Sequence, residues 1–190
     1  MDPFSYLSVL LSLIIGLAIT QILHGFRGML LGRSRVRMYW PTLAWSILLL
    51  IMFVQSWWAM FGLRGVEDWT FFGFCVVLLQ TVLEFMLAAL VLPDFDGETV
   101  DLRAHYYAQA RWFFGLFVVL LLVSLSKDLV FTGHLSAPAN VAFHVCFMTT
   151  SLVAMWLRRE WYHKAILIFA AVSFVVYVLL LFSRLQVAGA

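Results

Sequence analysis

Residues 69–93 read WTFFGFCVVLLQTVLEFMLAALVLP. Between Trp69 and Pro93 the only side chain charged at neutral pH is Glu84. A spanning helix needs about 20 mostly apolar residues, so this run predicts one. Working outward, five more runs of that kind are separated by polar punctuation. The six predicted spans lie near residues 4–31, 38–63, 69–93, 109–132, 138–157 and 163–185. Pro41 and Pro138 sit where helices begin, and Pro93 sits where one ends before Asp94, Asp96, Glu98 and Asp101.

The composition agrees with that reading: 64% of the 190 residues are hydrophobic and 12% charged, with a mean hydropathy of +0.99. A soluble fold of this length cannot hide so much apolar surface. The expected fold is therefore an all-α integral membrane bundle of about six transmembrane helices, occupying the whole chain as a single domain that can divide into two three-helix halves. Its first partner is the lipid bilayer. A net charge of +2 is too small to imply a nucleic-acid partner.

The first span carries Asp2 at its start and Arg27, Arg33, Arg35 and Arg37 after it. A signal peptide has the opposite charge order, so this segment is expected to remain as a helix. Nine Lys and Arg residues flank the first, third and fifth loops, against Arg64, Lys127 and Arg184 on the other side. Basic loops stay in the cytoplasm, which predicts a multi-pass protein of the plasma membrane, the inner membrane in a bacterium, with both termini exterior. Aromatic pairs near predicted ends, such as Trp57 with Trp58 and Trp161 with Tyr162, fit headgroup-level belts.

In the first helix, Ser8, Ser12, Gly16, Thr20, His24, Gly28 and Gly32 recur every fourth residue. Small residues at this spacing let helix backbones approach closely in lipid, where little hydrophobic drive exists. The stripe predicts either packing within the chain or an interface in a homo-oligomer, and it places Gln21 and His24 against protein rather than lipid. Cys75 and Cys146 lie in apolar runs and are expected as small packing residues.

Polar groups inside the spans are the candidates for function. Glu84 lies about 13 Å inside Pro93, with Gln80 and Thr81 one turn before it, at a depth where an ionised carboxylate costs roughly 3 kcal/mol. It must be protonated, paired or turned to a wet cavity. Ser124, Lys127 and Asp128 follow near the end of the fourth span, Asn140 and His144 share a face of the fifth, and Gln55 with Ser56 belongs to the second. By the predicted topology these lie in the exterior half of the membrane, with Gln21, His24 and Glu84 in the cytoplasmic half. Two polar layers are what a proton relay or solute path needs.

A short likeness between Pro41…Ala59-Met60-Phe61-Gly62-Leu63-Arg64 and Pro138…Ala154-Met155-Trp156-Leu157-Arg158 suggests an inverted repeat of two halves. The acidic run from Asp94 to Glu98 lacks the full ligand spacing of a calcium loop and reads as a solvated loop. No metal site is expected. HExxH, GxSxG, phosphate-loop and CxxC patterns are all missing, which removes the common hydrolase, kinase and thiol-redox signatures. His24 and His144 are conceivable haem ligands, but their placement in opposite halves argues against one haem between them.

The sequence therefore points first to a small transporter or channel that moves protons, ions or a small solute through a polar interior centred on Glu84. The alternatives are a membrane interaction protein, such as a sensor, assembly factor or complex subunit, and a haem or quinone redox protein.

Overall fold

In the computed structural model, residues 3–66, 68–95 and 99–181 are described. Six α-helices cover them: α1 (Pro3–Leu31), α2 (Trp40–Ala59), α3 (Phe71–Val91), α4 (Leu102–Thr132), α5 (Pro138–Trp156) and α6 (Glu160–Leu181). All six are long and apolar enough to cross a membrane, so the chain is a multi-pass helical membrane protein. The expected end of the last span at 185, together with Asp2, Asp96, Gly97, Glu98 and Arg184, lies outside the described residues.

Local chemistry sets the helix ends. Pro41 and Pro138 occupy first-turn positions, where their missing N–H removes no helical bond. The Thr70 hydroxyl accepts from the Gly73 amide at 3.0 Å and caps α3. The fourth helix begins seven residues before the predicted 109, because Asp101 Oδ1 accepts from the amides of Arg103 and Ala104 at 2.9 and 3.0 Å. Its far end stops at Gly133, whose φ of 71° belongs to the left-handed region. Past Ala59, α2 tightens into a 3-10 segment over Met60–Gly65.

The helices close into a ring in the order α1, α3, α4, α5, α6, α2, with α2 returning to α1. Chain order and spatial order thus differ at α2. The two halves are packed unlike each other: the backbones of α1 and α3 run close together, whereas their counterparts α4 and α6 stand farther apart and meet through side chains, Arg103 with Glu160 and Tyr106 with His163.

The buried side of α1 is formed by Leu11, Ile15, Ala18, Ile22, Gly25 and Met29, an alternating four-three spacing that follows one helix face. Gly25 and Gly28 allow the end of α3 to approach. A Cβ on Gly25 would lie 2.7 Å from Leu92 Cδ1, and one on Gly28 would lie 2.6 Å from Phe95 Cδ2. Around Gly16 a Cβ would meet nothing within 4 Å, and Leu13 and Leu17 are exposed beside it. The small-residue stripe therefore touches protein only in parts. Ser12 accepts from Trp57 Nε1 at 3.3 Å and Gly28 packs on Phe95, while Gly16, Thr20 and His24 are exposed. Cys75 and Cys146 are free thiols, and Cys146 is exposed on the outside of α5 rather than packed between helices.

At the end bearing the first, third and fifth loops, Val36–Arg37 and Val100–Asp101 form a two-residue parallel β-pair, β1 with β2. Arg103 reaches Glu160 at 2.6 Å, and Lys164 reaches the same carboxylate at 2.7 Å. His105 Nε2 donates to the Leu90 carbonyl at 3.0 Å, satisfying an acceptor in the last turn of α3.

Candidate functional site

A cavity of about 800 Å³ occupies the ring's interior. That volume falls within the range of small-molecule sites. Its lining starts at Leu48 on α2, Gln80 and Glu84 on α3, Phe117 on α4 and Ala170 on α6, and runs to Gly65, Asp68, Thr70 and Thr132 at the end bearing loops two and four. From Thr70 to Glu84 is a depth of about 20 Å along α3. The cavity is thus reached from one end, and Glu84 lies at its inner end.

Glu84 is 2% exposed. Gln80, one turn earlier on the same face, donates from Nε2 to Glu84 Oε1 at 3.2 Å and to Ser56 Oγ at 3.0 Å. Both amide protons of Gln80 are thereby used, which fixes the orientation of that side chain. Glu84 Oε2 and Gln80 Oε1 have no protein partner among the described residues, and neither has Asn140 Oδ1 across the cavity.

Higher on the wall, His144 Nδ1 lies 2.9 Å from the Asn140 carbonyl. A carbonyl only accepts, so Nδ1 carries the proton and Nε2 is left to accept from the Ser124 hydroxyl at 3.3 Å. Asp128 accepts from the Ser136 hydroxyl. Lys127 is half-buried on the same wall and interacts electrostatically with both Glu84 and Asp128, yet neither carboxylate is within 4.0 Å of its ammonium.

Gln55, Gln80, Glu84, Lys127, Asp128 and His144 therefore share one cavity. Glu84 reaches it from greater depth than the others, whereas the sequence placed it in a separate polar layer. Gln21 and His24 line a different, smaller cavity of about 270 Å³ at the opposite end, beside Arg27, Arg35, Pro93 and Asp94. His24 is exposed there rather than enclosed by helices. The two histidines considered as haem ligands thus belong to different cavities. Among the described residues, no group of three or more His, Cys, Asp or Glu converges as a metal site would require.

Compared with protein-family models, with curated proteins and with solved structures, the chain matches none. Its chemistry has to follow from its own groups.

Beyond the inner end of the cavity the interior is filled by a stack of aromatic rings packed edge to face or tilted. Phe117 meets Trp45 at 6.1 Å, Trp45 meets Phe113 and Phe114 at 5.4 and 5.7 Å, and Phe114 meets His163 at 5.6 Å. His163 then contacts Tyr106 and Tyr107 at 5.4 and 5.3 Å, and Tyr39 closes the stack. His163 is fully buried, and both of its nitrogens are engaged. Nε2 donates to the Leu157 carbonyl at 2.9 Å, and Nδ1 accepts from the Tyr106 hydroxyl at 3.0 Å. At the outer face of the stack, burial and a hydrogen bond with Tyr107 push the Tyr39 phenol well above its ordinary range, so it stays protonated.

Sequence reading passed over His163 because it stands next to Trp161 and Tyr162 in what looks like an interfacial belt. The usable signal was that α6 had room to begin earlier, at Glu160, which carries residue 163 inward.

Proposed function

We propose that the protein is a membrane carrier for a small solute, with Glu84 taking up and releasing a proton or cation at the inner end of a cavity open to one side. The observation that carries this reading is the gathering of Glu84, Lys127, Asp128 and His144 on a single cavity that ends at the aromatic stack. A carboxyl group this deep is expensive to hold in a membrane and marks ion or proton handling by default. A channel requires a continuous polar path, whereas a carrier requires a central site closed on one side at any moment. The stack from Phe117 to Tyr39 supplies such a closure, which favours a carrier. The distribution of Lys and Arg orients the molecule in the plasma membrane with loops one, three and five in the cytoplasm, so the cavity and both termini face the exterior.

Flux measured in proteoliposomes across imposed proton, cation and solute gradients tests the reading. Glu84→Gln preserves side-chain shape and keeps an oxygen for Gln80 but removes the titratable group. We expect gradient-driven flux to fall at least about tenfold, the scale of a general proton-transfer contribution, with folding intact. Wild-type flux in Glu84→Gln, or none of any tested species in the native chain, overturns it.

A second reading has its own observation. The outward face of α1 around Gly16 has no neighbour within the chain, as a face that joins a second subunit or another membrane protein would have. Co-purification of a stoichiometric partner through this face, with no flux, would favour it.

A further inference from the structure

Glu84, Lys127, Asp128 and His144 line the cavity, and they differ in how they are used. His144 spends both nitrogens on the Asn140 carbonyl and the Ser124 hydroxyl, and Asp128 is held by Ser136. Asp128, tied to the fourth loop through Ser136, lies nearer the mouth, which leaves Glu84 and Lys127 as the deeper acid and base. Glu84 leaves Oε2 without a protein donor, next to the equally unpartnered Gln80 Oε1, and Lys127 donates to no described acceptor. An acid and a base that line one cavity, feel each other's charge and still stand more than 4.0 Å apart are complementary to a ligand carrying the reverse pair of charges. A ligand with only one of them would leave the other site group desolvated and uncompensated, which is strongly unfavourable.

Between its polar groups the wall is apolar and largely aromatic, with Met52, Phe53, Phe143, Phe147 and Phe174. Such rings accept an apolar body and add favourable contact with an ammonium group over their faces.

We propose that the ligand is a small zwitterion with an apolar side group, the chemistry of a free hydrophobic amino acid. Its ammonium goes to Glu84 and Gln80 at the inner end, and its carboxylate goes to Lys127. This deepens the carrier reading by naming the solute class, and it rests on the cavity being the binding site.

The test compares three probes of one skeleton on the purified full chain: L-phenylalanine, 2-phenylethylamine, which lacks the carboxylate, and 3-phenylpropanoate, which lacks the ammonium. Thermal stability in detergent is read against the concentration of each. L-Phenylalanine is expected to raise the melting temperature at millimolar concentration, and the two single-charge analogues are not. Loss of a charged hydrogen-bond partner weakens binding at least about tenfold, so Lys127→Gln is expected to shift preference towards the amine and Glu84→Gln towards the acid. Equal stabilisation by all three probes means a merely apolar cavity and overturns the proposal. Stabilisation by one analogue alone, or by none of the three in the native chain, overturns it as well. These arms use wild-type protein, so a variant that fails to fold does not decide the matter. Zwitterion binding without flux would remove the carrier reading and leave this site standing. Glu84-dependent flux without zwitterion binding would do the reverse.

Discussion

Tyr106 donates to His163 across a sequence separation of 57 residues, and neither side chain has water to fall back on. Tyr106→Phe leaves the His163 Nδ1 lone pair buried and unmatched, which costs about 1–3 kcal/mol. Tyr107→Phe gives up only the longer contact with Tyr39, at 3.4 Å in a part-buried setting, and should cost a fraction of that. Thermal melting of both variants in detergent checks the order, and equal losses would mean that the hydrogen bond contributes little beyond ring packing. Glu84 was legible from the sequence because a lone acid in an apolar run has to be protonated, paired or turned to a wet cavity. His163 was not, since its meaning depends on a tyrosine from another helix that no local pattern connects to it.

The helices were legible at their apolar centres and less so at their ends. The polar run from Arg103 to Arg111 hid the first turns of α4, which an Asp101 cap and the ion pair from Arg103 to Glu160 hold in place. The small-residue stripe touches its own chain only in parts for a geometric reason. Four residues advance an ideal helix about 40° past a full turn, so the six steps from Ser8 to Gly32 wander through about 240° and cannot stay on one face. The four-three pattern of Leu11, Ile15, Ala18, Ile22, Gly25 and Met29 stays on course and is the packed face. Two substitutions separate the alternatives. Gly25→Ala forces its methyl against Leu92 and is expected to lose about 1–3 kcal/mol of stability, the usual scale of overpacking. A Cβ on Gly16 has no neighbour within 4 Å on the exposed face of α1, so Gly16→Leu should leave the single chain's melting unchanged. If Gly16→Leu also yields a smaller particle in sizing, α1 joins subunits there; if it destabilises the monomer, the exposure assigned to this face is wrong.

At the scale of the molecule, the ring of helices makes access asymmetric. In a variant lacking Cys75 and Cys146, Ser124→Cys places a thiol on the cavity wall. A water-soluble maleimide should label it from the side of loops two and four and leave it untouched from the other, where Trp45 and its neighbours intervene. Labelling from both sides would show a continuous pore. Orientation is checked independently: terminal tags should be accessible from outside intact cells, and cysteines in the first and fifth loops only after permeabilisation. The order of the ring has a consequence for biogenesis. Synthesis delivers α1 and α2 first, but α1 finds its main neighbour in α3 and α2 closes the ring against α6. The first hairpin therefore enters the bilayer before α1 meets its main neighbour, and α2, already against α1, gains its contact with α6 only after α6 has emerged. A nascent chain paused after α3 should hold α1 firmly while the flank of α2 that meets α6 remains open to the quality-control machinery of the membrane, so α6 acts as the latch of the bundle.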